Sequence, residues 1–309
     1  MEPDRLITVV IPVFNREATL ARTLDSIDAQ TRRPAAVVLV DNGSADASLS
    51  ILQHWASTRP HVSVAVEQRP GACAARNRGL AMVSTPFVMF FDSDDVMLPR
   101  HVEDFSRAIA SSPDTDIFGR DIIAEAADGT RRTLYYKAVA PMFNHIFRGS
   151  LSTQRMVART DLVRRVGGWN EALAGWNDFE LGVRLLLASQ RIKDLGGEPT
   201  VVTYATPGSI TGDSFTAHPG RWESSLDAIR RDVERAGRTE LIPLVEARTM
   251  ILAAQYAREG SDDLAKQLYD SVIATTRHPR RMSLIYRHNR LFGRLTWPLA
   301  AILFPSLRV

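Results

Sequence analysis

The sequence predicts an α/β protein built around a mostly parallel sheet. Short apolar runs alternate with helix-like stretches through roughly the first 120 residues, the pattern of strands joined by helical crossovers. Several of these runs are β-branched and continuous, which is typical of parallel strands covered on both faces. Polar turns follow the runs, so the chain also predicts where ligand-binding side chains emerge.

The first two strands are separated by one helix. Leu6–Val13 (LITVVIPV) reads as a buried strand, and Asn15 begins a segment with apolar residues at helical spacing. Ala36–Val40 (AVVLV) reads as the second strand and ends in the turn that begins at Asp41. Ser44 is predicted to cap the next helix.

Two more strands complete the regular part. Val62–Val66 is predicted as the third strand, and Gly71–Met82 as an alanine-rich helix. Phe87–Phe91 (FVMFF) is the fourth strand and runs directly into Asp92-Ser-Asp-Asp. Residues 119–215 are less regular, with a hairpin expected around Asp128-Gly129 and a helix near 178–189, and the chain reads as helical from Trp222.

Three strand ends carry polar side chains. Asn15, Asp41 and Asp92 each lie just past a predicted strand, and ligands of parallel α/β sheets bind beyond the carboxyl ends of the strands. We therefore expect these residues to face one crevice.

The acidic turn predicts a metal site. Asp92, Asp94 and Asp95 repel one another unless a cation or solvent screens them. Mg²⁺ or Mn²⁺ takes oxygen ligands, commonly one or two carboxylates plus substrate phosphates. A turn lets Asp92 and Asp94 point the same way while Ser93 points aside. The alternative is a helix N-terminus with capping acids.

Other polar residues suit a nucleotide and a proton transfer. Asp41 can accept from a nucleobase N–H, and Arg76 suits planar contacts with a nucleotide, the alternative being a solvated basic face shared with Arg78. Asp178 is a candidate general base or a plain helix N-cap, with Glu180 as second choice.

Composition and charge narrow the class of protein to which this chain can belong. Hydrophobic residues make up 45% of the 309, and the sequence contains no run of about 18 apolar residues that could span a bilayer. The first residues have no basic segment followed by an apolar one, so we do not expect a secretory signal. The single cysteine, Cys73, fits a reducing cytoplasm. Nucleic acid is disfavoured as a partner because the basic residues belong to no recognisable binding fold.

The C-terminal tail is basic and apolar. No Asp or Glu follows Asp270, and the arginines there are Arg277, Arg280, Arg281, Arg287, Arg290, Arg294 and Arg308. Its apolar residues are Leu291, Phe292, Leu295, Trp297, Leu299, Ile302, Leu303 and Phe304. Such a segment is typical of peripheral attachment to the inner face of a membrane, and a terminal element docked on the core or a homodimer contact fits it equally well.

Several segments together resemble family 2 glycosyltransferases. These are VVIPVFNREATLARTLDSI, VVLVDNGSAD, RPGACAARNRGLAMVSTPFVMFFDSDD, GGWNE and WNDFELGVRLL, in that order. The resemblance covers roughly residues 5–212 and implies an inverting enzyme with the GT-A fold. It implies a nucleoside pocket formed by Pro12, Val13, Phe14, Asn15 and Asp41, a nucleotide contact at Arg76, a D-x-D pair at Asp92 and Asp94 with Ser93 between them against the donor, and a catalytic base at Asp178.

Two positions depart from the family pattern. Asn177 stands where the family has the Glu of its Glu-Asp motif, and Thr206 where a metal-diphosphate-binding His is common. His218 lies 12 residues further on and is the candidate replacement, unless it is a surface residue.

The resemblance implies transfer from a nucleoside diphosphate-sugar, with UDP-sugar favoured, to a glycan or lipid-linked acceptor in cell-surface polysaccharide or glycolipid synthesis. A GT-A domain is expected at 1–220, with a nucleotide half near 1–118 and an acceptor half near 119–220, followed by a helical region at 221–309. A sugar-nucleotide-binding protein of the same fold without turnover stays open, because of Asn177 and Thr206.

Overall fold

The computed structural model describes residues 6–205, 214–293 and 296–307. Within these, the chain divides into two compact units. Unit 1 contains residues 6–138, 151–172 and 188–205, and unit 2 contains residues 139–150, 173–187, 214–293 and 296–307. This partition is not the same as the predicted domain boundaries, which stay a prediction.

All the strands in the described residues belong to unit 1. In chain order they are β1 (Ile7–Val13), β2 (Ala36–Asp41), β3 (Val62–Val66), β4 (Phe87–Phe90), β5 (Val96–Met97), β6 (Ile117–Gly119), β7 (Ile122–Glu125), β8 (Arg131–Leu134), β9 (Met156–Arg159), β10 (Ile192–Asp194) and β11 (Val201–Tyr204). They form a seven-stranded sheet in the order β10-β6-β9-β4-β1-β2-β3 and a four-stranded sheet in the order β5-β11-β7-β8. Strands β1 to β4 of the larger sheet run parallel, and β9 is antiparallel to both of its neighbours.

The helices are, in chain order, α1 (Leu20–Asp28), α2 (Ser48–Ala56), α3 (Ala72–Met82), α4 (His101–Ser111), α5 (Pro141–Arg148), α6 (Thr160–Arg165), α7 (Asn177–Ala188), α8 (Arg221–Arg235), α9 (Ile242–Arg258), α10 (Asp262–Thr275), α11 (Pro279–Phe292) and α12 (Thr296–Leu303). Helices α1 to α4 and α6 belong to unit 1. Helix α5, α7 except its last residue, and α8 to α12 belong to unit 2.

Helices cover both faces of the larger sheet. Alternate residues of β1 point to opposite faces, and Val9 and Ile11 pack in the core with the apolar side chains of α1, α2 and α4. On the other face, α3 lies so close that a Cβ on Gly79 would collide with Cγ1 of Val10 and lie 3.3 Å from Cγ2 of Val40. This double cover is the reason that the strands read as continuous apolar runs.

The predicted α/β fold with a mostly parallel sheet is confirmed, and so is the hairpin, which β7 and β8 form on either side of Asp128-Gly129. The cap assigned to Ser44 was wrong. Helix α2 begins at Ser48, and the Ser44 hydroxyl accepts a hydrogen bond from the Asn15 backbone N–H instead. In the part of the chain that the structure describes, no helix is both long enough and apolar enough to cross a membrane.

Candidate active site

The loops after β1 and β2 are joined to each other at the carboxyl edge of the sheet. The Asn15 N–H donates to the Ser44 hydroxyl at 3.0 Å, and the Asn15 side-chain oxygen accepts from the Ala45 N–H at 2.8 Å. Asn15 holds a left-handed backbone conformation, with φ 51°, which asparagine tolerates better than most residues. The loop that carries Asn15 and the loop that begins at Asp41 are therefore in contact, as the sequence predicted.

Asp41 ends β2 and offers one unused oxygen. Its Oδ2 accepts from the N–H groups of Gly43, at 3.0 Å, and Ser44, at 3.1 Å. Its Oδ1 is buried and has no hydrogen-bond partner in the described residues. A buried acceptor without a partner is costly unless a ligand satisfies it, and an N–H donor is the group that fits.

Asn42 ties this turn to the start of α3. Its amide donates to the carbonyl oxygens of Glu67 and Arg69, at 2.9 and 2.7 Å, and its oxygen accepts from the Gly71 N–H at 2.7 Å. Gly71 precedes α3 with φ 113°, a conformation that glycine adopts easily. The turn after β2 and the helix that carries Arg76 are thus positioned together.

Arg76 lies inside the site rather than on a solvated face. It is 6% exposed, its Nη2 donates to Asp92 Oδ1 at 2.7 Å, and its guanidinium lies 4.3 Å from the ring centroid of Trp169. Trp169 is held in turn by Asn77, which exchanges two hydrogen bonds of 2.8 Å with its backbone N–H and carbonyl. Arg78 is exposed. Nothing local in the sequence identified Trp169 as the platform for Arg76.

The acidic turn after β4 faces basic and amide groups. Asp92 also accepts from the side-chain amide of Gln154, and Asp94 faces Arg16 with an N···O separation of 3.6 Å. Arg22 donates to the Asp94 carbonyl oxygen at 2.6 Å. The β1 loop therefore meets the acidic turn, as the strand-end argument expected, and α1 contacts this turn as well.

Asp95 differs from its two neighbours because it is buried. Its carboxylate accepts from the Tyr204 N–H at 3.0 Å and from the Gln154 amide at 2.7 Å, which fixes the turn against β11. Burial, and then the charges of Asp92 and Asp94, raise the pKa of Asp95 to about 8. Asp95 therefore has a structural role, whereas the side chains of Asp92 and Asp94 remain partly accessible to a ligand.

The protein alone supplies few metal ligands. Within the described part of the chain, no group of three or more His, Cys, Asp or Glu side chains is arranged to hold a metal ion. The two accessible carboxylates of Asp92 and Asp94 still suit a hard cation that takes its remaining oxygens from a diphosphate and water.

The other residues expected around a nucleoside differ in accessibility. Pro12 and Val13 lie in β1 with buried side chains, and Ser93 is buried as well. Phe14, the next residue after β1, is 55% exposed. Of this group, Phe14 is the side chain that presents an apolar face to a ligand.

Asp178 lies in the first turn of α7, in unit 2. It is the second residue of that helix and is partly buried, and its Oδ1 accepts from the Phe179 N–H at 2.8 Å. The plain N-cap alternative does not hold, because the helix already begins at Asn177. Trp176, just before the helix, has φ 46° and packs against Phe179 and Trp222, with the Arg248 guanidinium 4.7 Å from its ring centroid.

Glu180 has a structural role. It is 1% exposed, and both of its oxygens accept from Arg184, at 2.7 and 2.6 Å. Because Arg184 holds both carboxylate oxygens of Glu180, Glu180 is a poor choice for a base. The charge of Glu180 also acts on Asp232: burial and this neighbouring charge raise the pKa of Asp232 to about 6.

The third metal candidate, His218, stays a prediction. His218 is exposed and follows a short 3-10 helix (Phe215–Ala217) in unit 2. Thr206 lies outside the described residues.

Several proteins are similar in sequence to parts of this chain. GlyA of Streptococcus pneumoniae is 38% identical over 106 residues, which is 34% of this chain and 15% of that protein. The pre-mycofactocin glycosyltransferase of Mycobacterium tuberculosis is 29% identical over 202 residues, 61% of this chain and 41% of that protein. The chain spans only 15% to 35% of the length of the first three curated relatives that it matches.

Solved structures share the fold. S. aureus TarS in complex with UDP-GlcNAc superposes with a TM-score of 0.59 at 17% identity, over 92% of both chains. The mannosyltransferase PcManGT from Pyrobaculum calidifontis, in complex with GDP-Man and Mn²⁺, gives a TM-score of 0.53 at 17% identity, over 97% of this chain and 84% of that one. At such identities the likeness shows the fold, a GT-A-type mixed α/β sheet with a helical C-terminal part.

The family model for "Glycosyl transferase family 2" matches residues 8–163, about half of the chain. That range contains β1 except its first residue, β2 to β4, the Asp41 turn, Arg76 and the acidic turn described above. The chain belongs to glycosyl transferase family 2.

Proposed function

We propose that this protein is an inverting glycosyltransferase that moves a sugar from a nucleoside diphosphate-sugar to an acceptor hydroxyl. The observation that carries the proposal is the buried Oδ1 of Asp41, which has no hydrogen-bond partner in the described residues. It lies at the same sheet edge as the acidic turn of Asp92 and Asp94. A donor that is a base at one end and a diphosphate at the other suits such an edge.

The nucleoside end is assigned to the β1 and β2 loops. Asp41 Oδ1 accepts the base N–H, and the exposed Phe14 ring offers an apolar surface for the base or ribose. Asn15 joins the two loops, so it holds the pocket in shape. Uridine is the favoured base, and the UDP-GlcNAc bound to TarS supports that choice.

The diphosphate end is assigned to Asp94 and Asp92, with Mn²⁺ or Mg²⁺. A divalent cation held by these two carboxylates would offset the negative charge that develops on the departing diphosphate. Arg16, whose guanidinium is 3.6 Å from Asp94, and Arg76, which holds Asp92, keep the two carboxylates from repelling each other before the donor binds. The Mn²⁺ in the PcManGT complex supports this assignment.

The proton transfer is assigned to Asp178. Its carboxylate takes the proton of the acceptor hydroxyl, and the acceptor oxygen forms a bond to the anomeric carbon. The bond from that carbon to the diphosphate oxygen breaks, and its electron pair leaves with the nucleoside diphosphate. Attack from the face opposite the leaving group inverts the anomeric centre.

The acceptor is assigned to a glycan or a lipid-linked sugar of cell-surface polysaccharide. Support comes from the O-antigen biosynthesis protein RfbC of Myxococcus xanthus, which is 25% identical over 92% of this chain and 23% of that protein.

The test is a donor screen with Mn²⁺ and a panel of sugar nucleotides, following release of nucleoside diphosphate. We expect slow hydrolysis of one donor by the wild-type protein. Asp94→Asn should lose metal-dependent donor binding, whereas Asp178→Asn should bind the donor normally and turn it over at least 100-fold more slowly.

Asp263→Asn, which alters an exposed carboxylate of α10, is the matched control and should behave as wild type. Tight donor binding without turnover on any acceptor would favour the alternative, a sugar-nucleotide-binding protein of the same fold. This alternative is supported by Asn177, which stands where the family has the Glu of its Glu-Asp motif. Turnover that survives in Asp178→Asn would remove the assigned base.

A further inference from the structure

Helix α11 presents an exposed stripe in which arginine and leucine alternate. Arg280, Leu284, Arg287 and Leu291 are all exposed and are spaced by four, three and four residues, so they lie on one helical face. Leu284 is 46% exposed and Leu291 74%. The opposite face is buried through Met282, Ile285 and Asn289. The apolar residues of the stripe are therefore not core residues of unit 2.

The arginines of this stripe lack acidic partners. In the described ranges, neither Arg280 nor Arg287 forms an ion pair, whereas the nearby Arg290 lies 3.4 Å from Asp262. The sequence contains no acidic residue after Asp270, so the surface keeps its positive charge. An uncompensated cationic surface attracts an anionic partner at long range.

Helix α12 adds an apolar surface. Ala300, Ala301 and Phe304 are buried, yet Pro298 and Ile302, four residues apart, are exposed, the latter at 74%. No charged residue occurs between Thr296 and Ser306. A helix that is apolar on its buried and its exposed face needs a second apolar environment outside the unit.

Helix α12 is anchored within unit 2 through side chains on its buried face. The Trp297 ring packs on Phe143, and its Nε1 donates to the Asn144 side-chain oxygen at 3.2 Å. Phe304 packs edge-on against His278 at 5.9 Å. Trp297 was expected to belong to the exposed apolar surface and instead anchors α12 within unit 2. Leu295, Arg294 and Arg308 lie outside the described residues.

We propose that the exposed face of α11 and α12 docks on an anionic lipid surface. The arginines meet the lipid phosphates while Leu284 and Leu291 of α11 and Ile302 of α12 enter the boundary between head groups and acyl chains. A second copy of the chain fits less well. A symmetric dimer would bring the same arginine-bearing surface against itself, and that surface offers no carboxylate to pair with.

Vesicle sedimentation of the full chain without sugar nucleotide tests this proposal, so its outcome does not depend on glycosyl transfer. The vesicles are phosphatidylcholine with and without phosphatidylglycerol. We expect binding to the anionic vesicles only, weakened by added salt. Arg280→Glu/Arg287→Glu and Leu284→Gln/Leu291→Gln should each reduce the bound fraction about tenfold or more.

The matched control is Arg165→Glu/Arg231→Glu, which makes the same charge change at exposed arginines of α6 and α8. It should bind as wild type, and melting temperatures will show that each variant folds. Equal sedimentation of all variants, or no binding to anionic vesicles, overturns the proposal. A wild-type dimer that Leu284→Gln/Leu291→Gln dissociates, without vesicle binding, would assign the surface to a second copy instead.

Discussion

The Arg76 guanidinium donates a 2.7 Å hydrogen bond to the Asp92 carboxylate while lying 4.3 Å from the ring centroid of Trp169. This pairing joins α3 to the loop after β4. Arg76 belongs to α3, and Asp92 lies two residues beyond Phe90, the last residue of β4. The pairing also fixes the direction of one of the two accessible carboxylates of the acidic turn.

Arg76→Lys should therefore destabilise the protein despite keeping the charge. Lysine supplies neither the planar group that stacks on Trp169 nor the same fork toward Asp92. We expect a loss of about 1–3 kcal/mol in the free energy of unfolding, measured by urea denaturation. Arg78→Lys, two residues further along the same helix and exposed, is the control and should change stability by less than about 0.5 kcal/mol. Equal stability of the two variants would contradict a structural role for the stack.

Asp41→Asn should weaken binding of UDP. The amide oxygen can keep the bonds from Gly43 and Ser44, which places the amide nitrogen at the present position of Oδ1. A donor then faces the base N–H, and we expect Kd for UDP to rise about tenfold or more in calorimetry. Asp25→Asn on the exposed side of α1 is the control. An unchanged Kd for Asp41→Asn would mean that another group recognises the base.

The parts of the site that the sequence predicted are those close to strand ends. Continuous apolar runs identified β1, β2 and β4, because strands covered on both faces have few polar positions. The parallel order then placed Asn15, Asp41 and Asp92 at one edge, and hydrogen bonds join the loops that carry them to their neighbours.

The parts that were missed depend on distant residues. Gln154 and Tyr204 fix Asp95 from 59 and 109 positions away, and Trp169 supports Arg76 from a separate turn. No local pattern predicts such partners, because side-chain amides and backbone N–H groups occur throughout the chain, and the residues around Trp169 do not indicate which side chain its ring will contact. The same reason explains Trp297, whose partner Asn144 is 153 positions away.

The close approach of α3 to the sheet predicts that Gly79→Ala is destabilising. Alanine favours a helix interior by about 1 kcal/mol over glycine, so an exposed site would be stabilised. Here the added methyl group collides with Val10, and we expect a net loss of about 1–3 kcal/mol in the free energy of unfolding.

A double-mutant cycle identifies the cause of that loss. Val10→Ala removes the Cγ1 atom that the new methyl group meets, at the cost of a cavity when made alone. Gly79→Ala/Val10→Ala should therefore be more stable than the sum of the single effects predicts, by about 1 kcal/mol in urea denaturation. Strict additivity would show that the destabilisation has another origin.

The carboxyl pair of unit 2 predicts a pH dependence of stability. Burial and the charge of Glu180 raise the pKa of Asp232 from its ordinary value of 3.8 to about 6, with Arg184 close to both. Asp232 therefore ionises later in the folded protein than in the unfolded chain. Its contribution to stability is fully present below pH 3.8 and is lost as the pH rises through about 6, because unfolding then releases a proton.

Asp232→Asn removes this titration. Relative to wild type, the variant should gain in melting temperature between about pH 4 and about pH 7, and the difference should level off above that range. Differential scanning fluorimetry across the range measures it, with Asp263→Asn on α10 as the control whose difference from wild type stays flat. A difference for Asp232→Asn that is constant, or that falls as the pH rises, would mean that Arg184 stabilises the ionised form of Asp232 more than burial and Glu180 oppose it.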